Sequence, residues 1–186
     1  TKLAQKVGSS LTYYCGPAVY EGDELKLIMH PEGTINYQES GEVYYTFFKT
    51  DHTGSTRVVL EDPMTSQLDP VQTIDYYPFG LAHNYNNLDR NKYLYSGKEL
   101  QDASVNSDRS ILGLYDFGAR YYDPLLGLWF NPDPALQGLN PYVYCGNNPI
   151  MYVDPDGRIA WFIPLIVGAV IGATSGAVIA KQAGAD

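Results

Sequence analysis

The stretch Arg120 to Pro134 reads RYYDPLLGLWFNPDP, and Asn147 to Gly157 reads NNPIMYVDPDG. Asp123-Pro124, Asn131-Pro132, Asp133-Pro134, Asn148-Pro149 and Asp154-Pro155 punctuate these stretches. Each proline removes a backbone donor and fixes its own φ, and it drives the preceding residue out of the helical region. No long helix can form across such a stretch. The chain is confined to short extended pieces joined by tight turns. Asp and Asn before proline accept hydrogen bonds from the backbone amides that follow, so turn building is the first reading of these side chains. A second reading is chemical: two of the carboxylates face each other.

The rest of the chain has the same texture. Among 186 residues there are 18 glycines, 12 prolines and 17 tyrosines. Aromatic-rich strands alternate with glycine turns in YYTFFKTDHTG, DYYPFG, YLYSG, LYDFGARYYDP and YVYCG. The clearest hairpin is VYEGDELKLI, with its turn at Gly22-Asp23. YYTFFKTDHTGSTRVVLED predicts two strands about a turn at Gly54. Residues 62–75 read as a polar connection, TIDYYPFG as a strand that stops at Pro78 and Gly80, and 81–92 as a loop. The irregular spacing points to a stack of small sheets, not to a strict solenoid. Tyrosine suits this arrangement, because its ring packs on a pleated face while its hydroxyl seeks a partner at the edge. An exposed aromatic surface for glycans is the alternative use of the tyrosines. The fold class is therefore mainly β: short-stranded hairpins up to Gly157, with any helix lying after Ile159.

Charge and sparse chemistry exclude several functions. A net charge of −9 and no basic run argue against nucleic acid as a partner. Cys15 and Cys145 allow one disulfide but have no metal-ligand spacing. His30, His52 and His83 are widely separated, so no metal site is predicted. Nucleophile-elbow and phosphate-loop patterns are absent, and no cofactor is implied. The N-terminus has neither Met nor a signal-peptide pattern, so the chain reads as a piece of something longer.

Character changes after Gly157. Ile159 to Ala180 carries no charged residue and is long enough, at ~20 residues, to cross a bilayer. Gly168, Gly172 and Gly176 recur every fourth residue, which on a helix forms a smooth stripe for close helix contact. Pro164 and the glycines weaken an isolated helix in water. Burial inside a protein shell, folding back on a protein surface, contact with a second copy and membrane insertion are all compatible with this segment.

TDHTGSTRVV, DYYPFG, YLYSGKE, LYDFGARYYDPLLGLW, NPDP and YVYCGNNPIMYVDPDG together resemble the RHS repeat-associated core domain of tyrosine-aspartate (YD) repeat proteins. The similarity is strongest from Tyr44 to Gly157. Its specific part runs from Tyr115, through the structural motif Arg120, Tyr121, Tyr122, Asp123, Pro124, Asn148, Pro149 and Pro155. The resemblance implies a bacterial, secreted or cell-surface protein whose β-hairpins wind into a hollow shell. The core domain closes that shell like a plug, and a variable C-terminal toxin is held inside. Partners would be the upstream shell and the downstream toxin of the same polypeptide. In many members the core cuts its own chain just after the Asp-Pro-x-Gly motif, by two aspartates likened to those of aspartic proteases. Carried over, these are Asp133 and Asp154, with Asp123 as rival partner. The cleavage region is Gly157, Arg158 and Ile159, where Arg158 departs from the Leu that usually follows the glycine. Two close carboxylates would share a proton, one acting as acid and the other as base.

The expected organisation is a YD-repeat-like β region over 1–114, the core motif over 115–158, and an apolar glycine-rich segment over 159–186. Three functions follow: an encapsulating plug, a self-cleaving aspartyl-type protease, and a glycan- or surface-binding β module.

Overall fold

A computed structural model describes residues 2–7, 10–62, 68–87, 90–101, 113–135 and 139–162. Gly168, Gly172 and Gly176, and with them the expected helical segment beyond Phe162, lie outside these residues. Nine strands form one sheet in sequential order, each antiparallel to the next. They are β1 (Ala4–Val7), β2 (Ser10–Cys15), β3 (Ala18–Glu21), β4 (Glu24–His30), β5 (Gly33–Tyr37), β6 (Val43–Thr50), β7 (Thr56–Asp62), β8 (Asp69–Tyr76) and β9 (Ala82–Tyr85). A second sheet holds β10 (Glu99–Gln101), β11 (Leu114–Asp116), β12 (Tyr121–Asp123) and β13 (Leu128–Trp129). A last ribbon pairs β14 (Tyr152–Val153) with β15 (Trp161–Phe162). Among the described residues there is no α-helix, and none is long and apolar enough to cross a membrane.

The predicted turns at Gly22-Asp23 and Gly54 separate β3 from β4 and β6 from β7. Four readings need correction. In place of a stack of small sheets, β1 to β9 form a single continuous meander. The connection 62–75 contains most of β8, whose Pro70 sits where the register to β7 shifts, between Val59 and Leu60. A bulge is where a strand tolerates the missing proline N–H. The loop 81–92 contains β9, an edge strand of polar composition. Asn84 Nδ2 donates to Asp75 Oδ2 across the ladder at 3.0 Å, so pairing overrides propensity there. YLYSG and YVYCG, read as strands, are 3₁₀ turns at Tyr95–Gly97 and Cys145–Asn147. Ser96 and Cys145 hold a left-handed position in each, at φ 50° and 48°.

The core lies between the end of the large sheet and the second sheet. Ile74, Leu94, Tyr95, Tyr115, Phe117, Tyr122, Trp129, Tyr144 and Cys145 form it. Tyr122 and Tyr144 are in closest contact, with ring centroids 4.2 Å apart. The tyrosine hydroxyls explain the abundance of this residue. Tyr95, Tyr122 and Tyr115 donate to the carbonyls of Pro78, Phe79 and Gly80 at 3.2, 2.7 and 3.3 Å. Three buried phenols thus satisfy three consecutive carbonyls of the turn after β8, which would otherwise be desolvated without partners. Burial pushes all three phenols well above the ordinary tyrosine range. At the far end, Lys2 bonds Glu99 Oε2 at 3.0 Å and Tyr14 donates to Glu99 Oε1 at 2.8 Å, tying the β1–β2 hairpin to β10.

Candidate functional site

The site grows from the Asp-Pro turns. In each, the Asp side chain accepts from backbone amides that follow, as the local chemistry predicts. Asp123 Oδ1 takes the amides of Leu125 and Leu126 at 2.9 and 3.1 Å. Asp133 Oδ1 takes Ala135 N at 2.8 Å. Asp154 Oδ1 takes three, from Asp156, Gly157 and Arg158, at 3.2, 2.7 and 3.1 Å. Turn building is therefore what all three aspartates do. Asp133 and Asp154 also do something more.

Both reach the guanidinium of Arg120. Arg120 Nη1 lies 3.7 Å from Asp133 Oδ1, and Nη2 lies 3.4 Å from Asp154 Oδ2. Arg120 Nε donates to the carbonyl of Gly157 at 2.6 Å. The guanidinium also stacks over Trp129, 4.0 Å from the ring centroid. Arg120, Asp133 and Asp154 are 5%, 7% and 1% exposed, so the cluster is shut off from solvent. An arginine suits this place because its planar fork presents several donors in fixed directions at once. Arg120 leaves the β11–β12 turn, Asp133 follows β13, and Asp154 follows β14. The second sheet and the last ribbon thus meet at one residue.

Burial pushes the Asp154 carboxyl above the ordinary aspartate range, and the three amides and Arg120 pull against it. A pair bridged by a cation differs from a dyad whose carboxylates share one proton directly.

The turn 154–158 is held from outside as completely as from within. Lys98 Nζ donates to the carbonyl of Pro155 at 2.5 Å, and Ala119 N to that of Asp156 at 3.1 Å. With Arg120 on Gly157, three consecutive carbonyls are satisfied by donors from residues 98, 119 and 120. Gly157 adopts φ +77°, and a Cβ there would lie 3.0 Å from Phe117 Cβ and 3.1 Å from Arg120 N. Glycine is required on both counts. The Gly157–Arg158 peptide is gripped on both sides, its carbonyl by Arg120 and its amide by Asp154. Arg158 and Ile159 are exposed.

The remaining motif residues have structural places. Tyr122 is in the core and Tyr121 faces outward. Pro124 and Pro149 are buried, and the Asn148 carbonyl accepts from Met151 and Tyr152. Asp123 stays on its own turn. Sequence reasoning gave Arg120 only a motif role and missed Lys98. The signal was present: Arg120 is the sole Lys or Arg between residues 110 and 157, among five aspartates. The histidines serve separate ends, with His52 Nε2 on the Ile150 carbonyl at 3.1 Å and His83 against Tyr77. Cys15 and Cys145 are free thiols. Burial pushes Cys145 up to about 12.

No family model matches the chain. It is 34% identical over 156 residues to salivary gland surface protein 1 of Aedes aegypti, covering 82% of this chain and 4% of that protein. It is 38% identical over 114 residues to toxin subunit YenC1 of Yersinia entomophaga, covering 58% of this chain and 11% of that one. The crystal structure of TcdB2-TccC3 superposes with a TM-score of 0.63 at 25% identity, over 83% of this chain and 8% of that one. The chain thus spans only a small fraction of the length of these relatives. Sequence similarity to toxin subunits and fold similarity to TcdB2-TccC3 support, at the coarse level of the family, the RHS-type toxin relationship that the motifs suggest.

Proposed function

We propose that this chain is the core, or plug, module of an RHS-type secreted toxin protein, and that it closes a β-shell around the segment that follows Gly157. The observation that carries this reading is the Arg120 cluster. It fastens the turn 154–158, through which the chain leaves the folded core, to the second sheet by buried ionic and carbonyl contacts. A plug needs such a fixed exit, so that the downstream chain starts from a defined place. Similarity to YenC1 and to TcdB2-TccC3 supports the same reading. Its test uses the longer polypeptide. Downstream sequence should resist added protease in the parent and become accessible in Arg120→Met. Equal accessibility in both would overturn the plug reading.

A second reading, self-cleavage, is favoured by the grip on the Gly157–Arg158 peptide. Arg120 polarises the Gly157 carbonyl. A water would add to that carbon, giving its proton to Asp133. Asp154, which accepts from the Arg158 amide at 3.1 Å in the uncut chain, would return a proton to that nitrogen as the C–N bond breaks. Asp133 is the partner carboxylate. Intact mass decides: a fragment ending at Gly157 in the parent and its absence in Asp154→Asn are expected. Uncut parent protein would leave the plug without this activity. A glycan-binding use would draw on the exposed Tyr13, Tyr45, Tyr77, Tyr121, Tyr142 and Tyr152, since Tyr95, Tyr115, Tyr122 and Tyr144 are buried in the core.

A further inference from the structure

Four large apolar side chains near the end of the described residues are exposed. Ile150, Met151, Ile159 and Trp161 are 57%, 43%, 44% and 48% exposed. They belong to the β14–β15 ribbon and its approaches. That ribbon consists of two strands of two residues each. Such a ribbon is marginal in water without a covering layer. Directly after Phe162 comes IPLIVGAVIGATSGAVIA, residues 163–180, with no charge before Lys181.

We infer that the exposed side chains of Ile150, Met151, Ile159 and Trp161 are where residues 163–180 of the same chain dock. Covalent continuity favours this occupant over a second copy. A segment tethered at Phe162 meets these side chains at an effective concentration in the millimolar range, which an intermolecular partner reaches only in concentrated solution. Chemistry agrees, since uncharged aliphatic side chains match aliphatic and indole partners, and each fully buried one is favourable. The turn 154–158 is already fixed by Arg120 and Lys98, so the tether begins from an ordered base. This inference goes beyond the plug reading and does not depend on cleavage.

Trp161 is the probe, because the only other tryptophan, Trp129, is 3% exposed. In the 186-residue chain, acrylamide should quench Trp161 weakly, with Trp161→Phe identifying its contribution. The double variant Ile166→Asp, Ile171→Asp should raise that quenching several-fold while Trp129 remains shielded. Strong quenching of Trp161 in the parent would overturn the inference. So would shielding that is lost on dilution, which would assign these side chains to a second copy. Shielding that appears only with added anionic vesicles would assign them to a membrane and overturn the inference as well. A photoreactive phenylalanine analogue in place of Trp161 tests the same contact without altering the tail. Crosslinks should fall within 163–180 of the same chain; crosslinks between chains would contradict the proposal.

Discussion

At the scale of the residue, Arg120 ties Asp133, Asp154, the Gly157 carbonyl and the Trp129 ring together. Removing it leaves Asp133 and Asp154 buried without their shared cation and the Gly157 carbonyl without its donor. Breaking a buried ion pair in this way costs about 3–5 kcal/mol. Arg120→Met should therefore lower the unfolding free energy by about that amount in urea titrations. Arg120→Lys should recover little, because a single ammonium cannot reproduce the fork. The exposed pair Arg90–Glu61 gives the contrast, despite its 2.7 Å separation. Arg90→Met should cost no more than about 1 kcal/mol. Gly157→Ala is the second residue-scale test. A left-handed backbone and a crowded Cβ position each oppose the methyl group, and a loss of about 1–3 kcal/mol is expected in the same titration.

At the scale of the element, turns matter more than strands. The turn 78–80 is held by three tyrosine hydroxyls, so Tyr122→Phe should lose about 1–2 kcal/mol while the outward-facing Tyr121→Phe changes little. Comparing the two midpoints checks this. The β6–β7 turn is organised by Asp51. Burial alone would raise its pKa, but donors from Thr53, Ser55 and Arg57 outweigh burial and hold it below its ordinary value of 3.8. Its folded pKa is thus depressed. The stability it contributes is present above pH 3.8 and is lost as pH falls through the folded pKa. Asp51→Asn should accordingly flatten the acid limb of the stability profile below about pH 4 and leave its slope at neutral pH unchanged. These turns were legible in the sequence, since Asx-Pro steps and glycines act through their own neighbours, although Asp51 as the organiser of the Gly54 turn was not read there. Strand β9 and the first half of β8 were not legible, whereas Thr73 to Tyr76 of β8 reads as strand in TIDYYPFG. Proline in β8 and polar residues in β9 argue against strand locally, and only pairing with β7 and with each other decides. The two 3₁₀ turns were hidden for a related reason. Tyrosine runs look like strands until Tyr95 and Tyr144 are seen packed against each other, with centroids 6.2 Å apart.

At the scale of the whole molecule, the sheets are joined by side chains from distant stretches of the sequence. Lys2 and Tyr14 reach Glu99, His52 reaches Ile150, Lys98 reaches Pro155, and Arg120 reaches Asp133, Asp154 and Gly157. Aspartate positions were readable as a pair of interest because motif order marked them. That they converge on one cation was not, because the convergence spans β12, β13 and β14 and no local pattern encodes it. The central claim is that the exit turn belongs to the core and that Arg120 holds it there. Amide hydrogen exchange of Gly157 and Arg158 in the 186-residue chain tests this most directly. Both amides donate to Asp154 and should exchange as slowly as those of the core strands β11 and β12, and Arg120→Met should release them. Exchange in the parent as fast as that of an unstructured peptide would contradict the account.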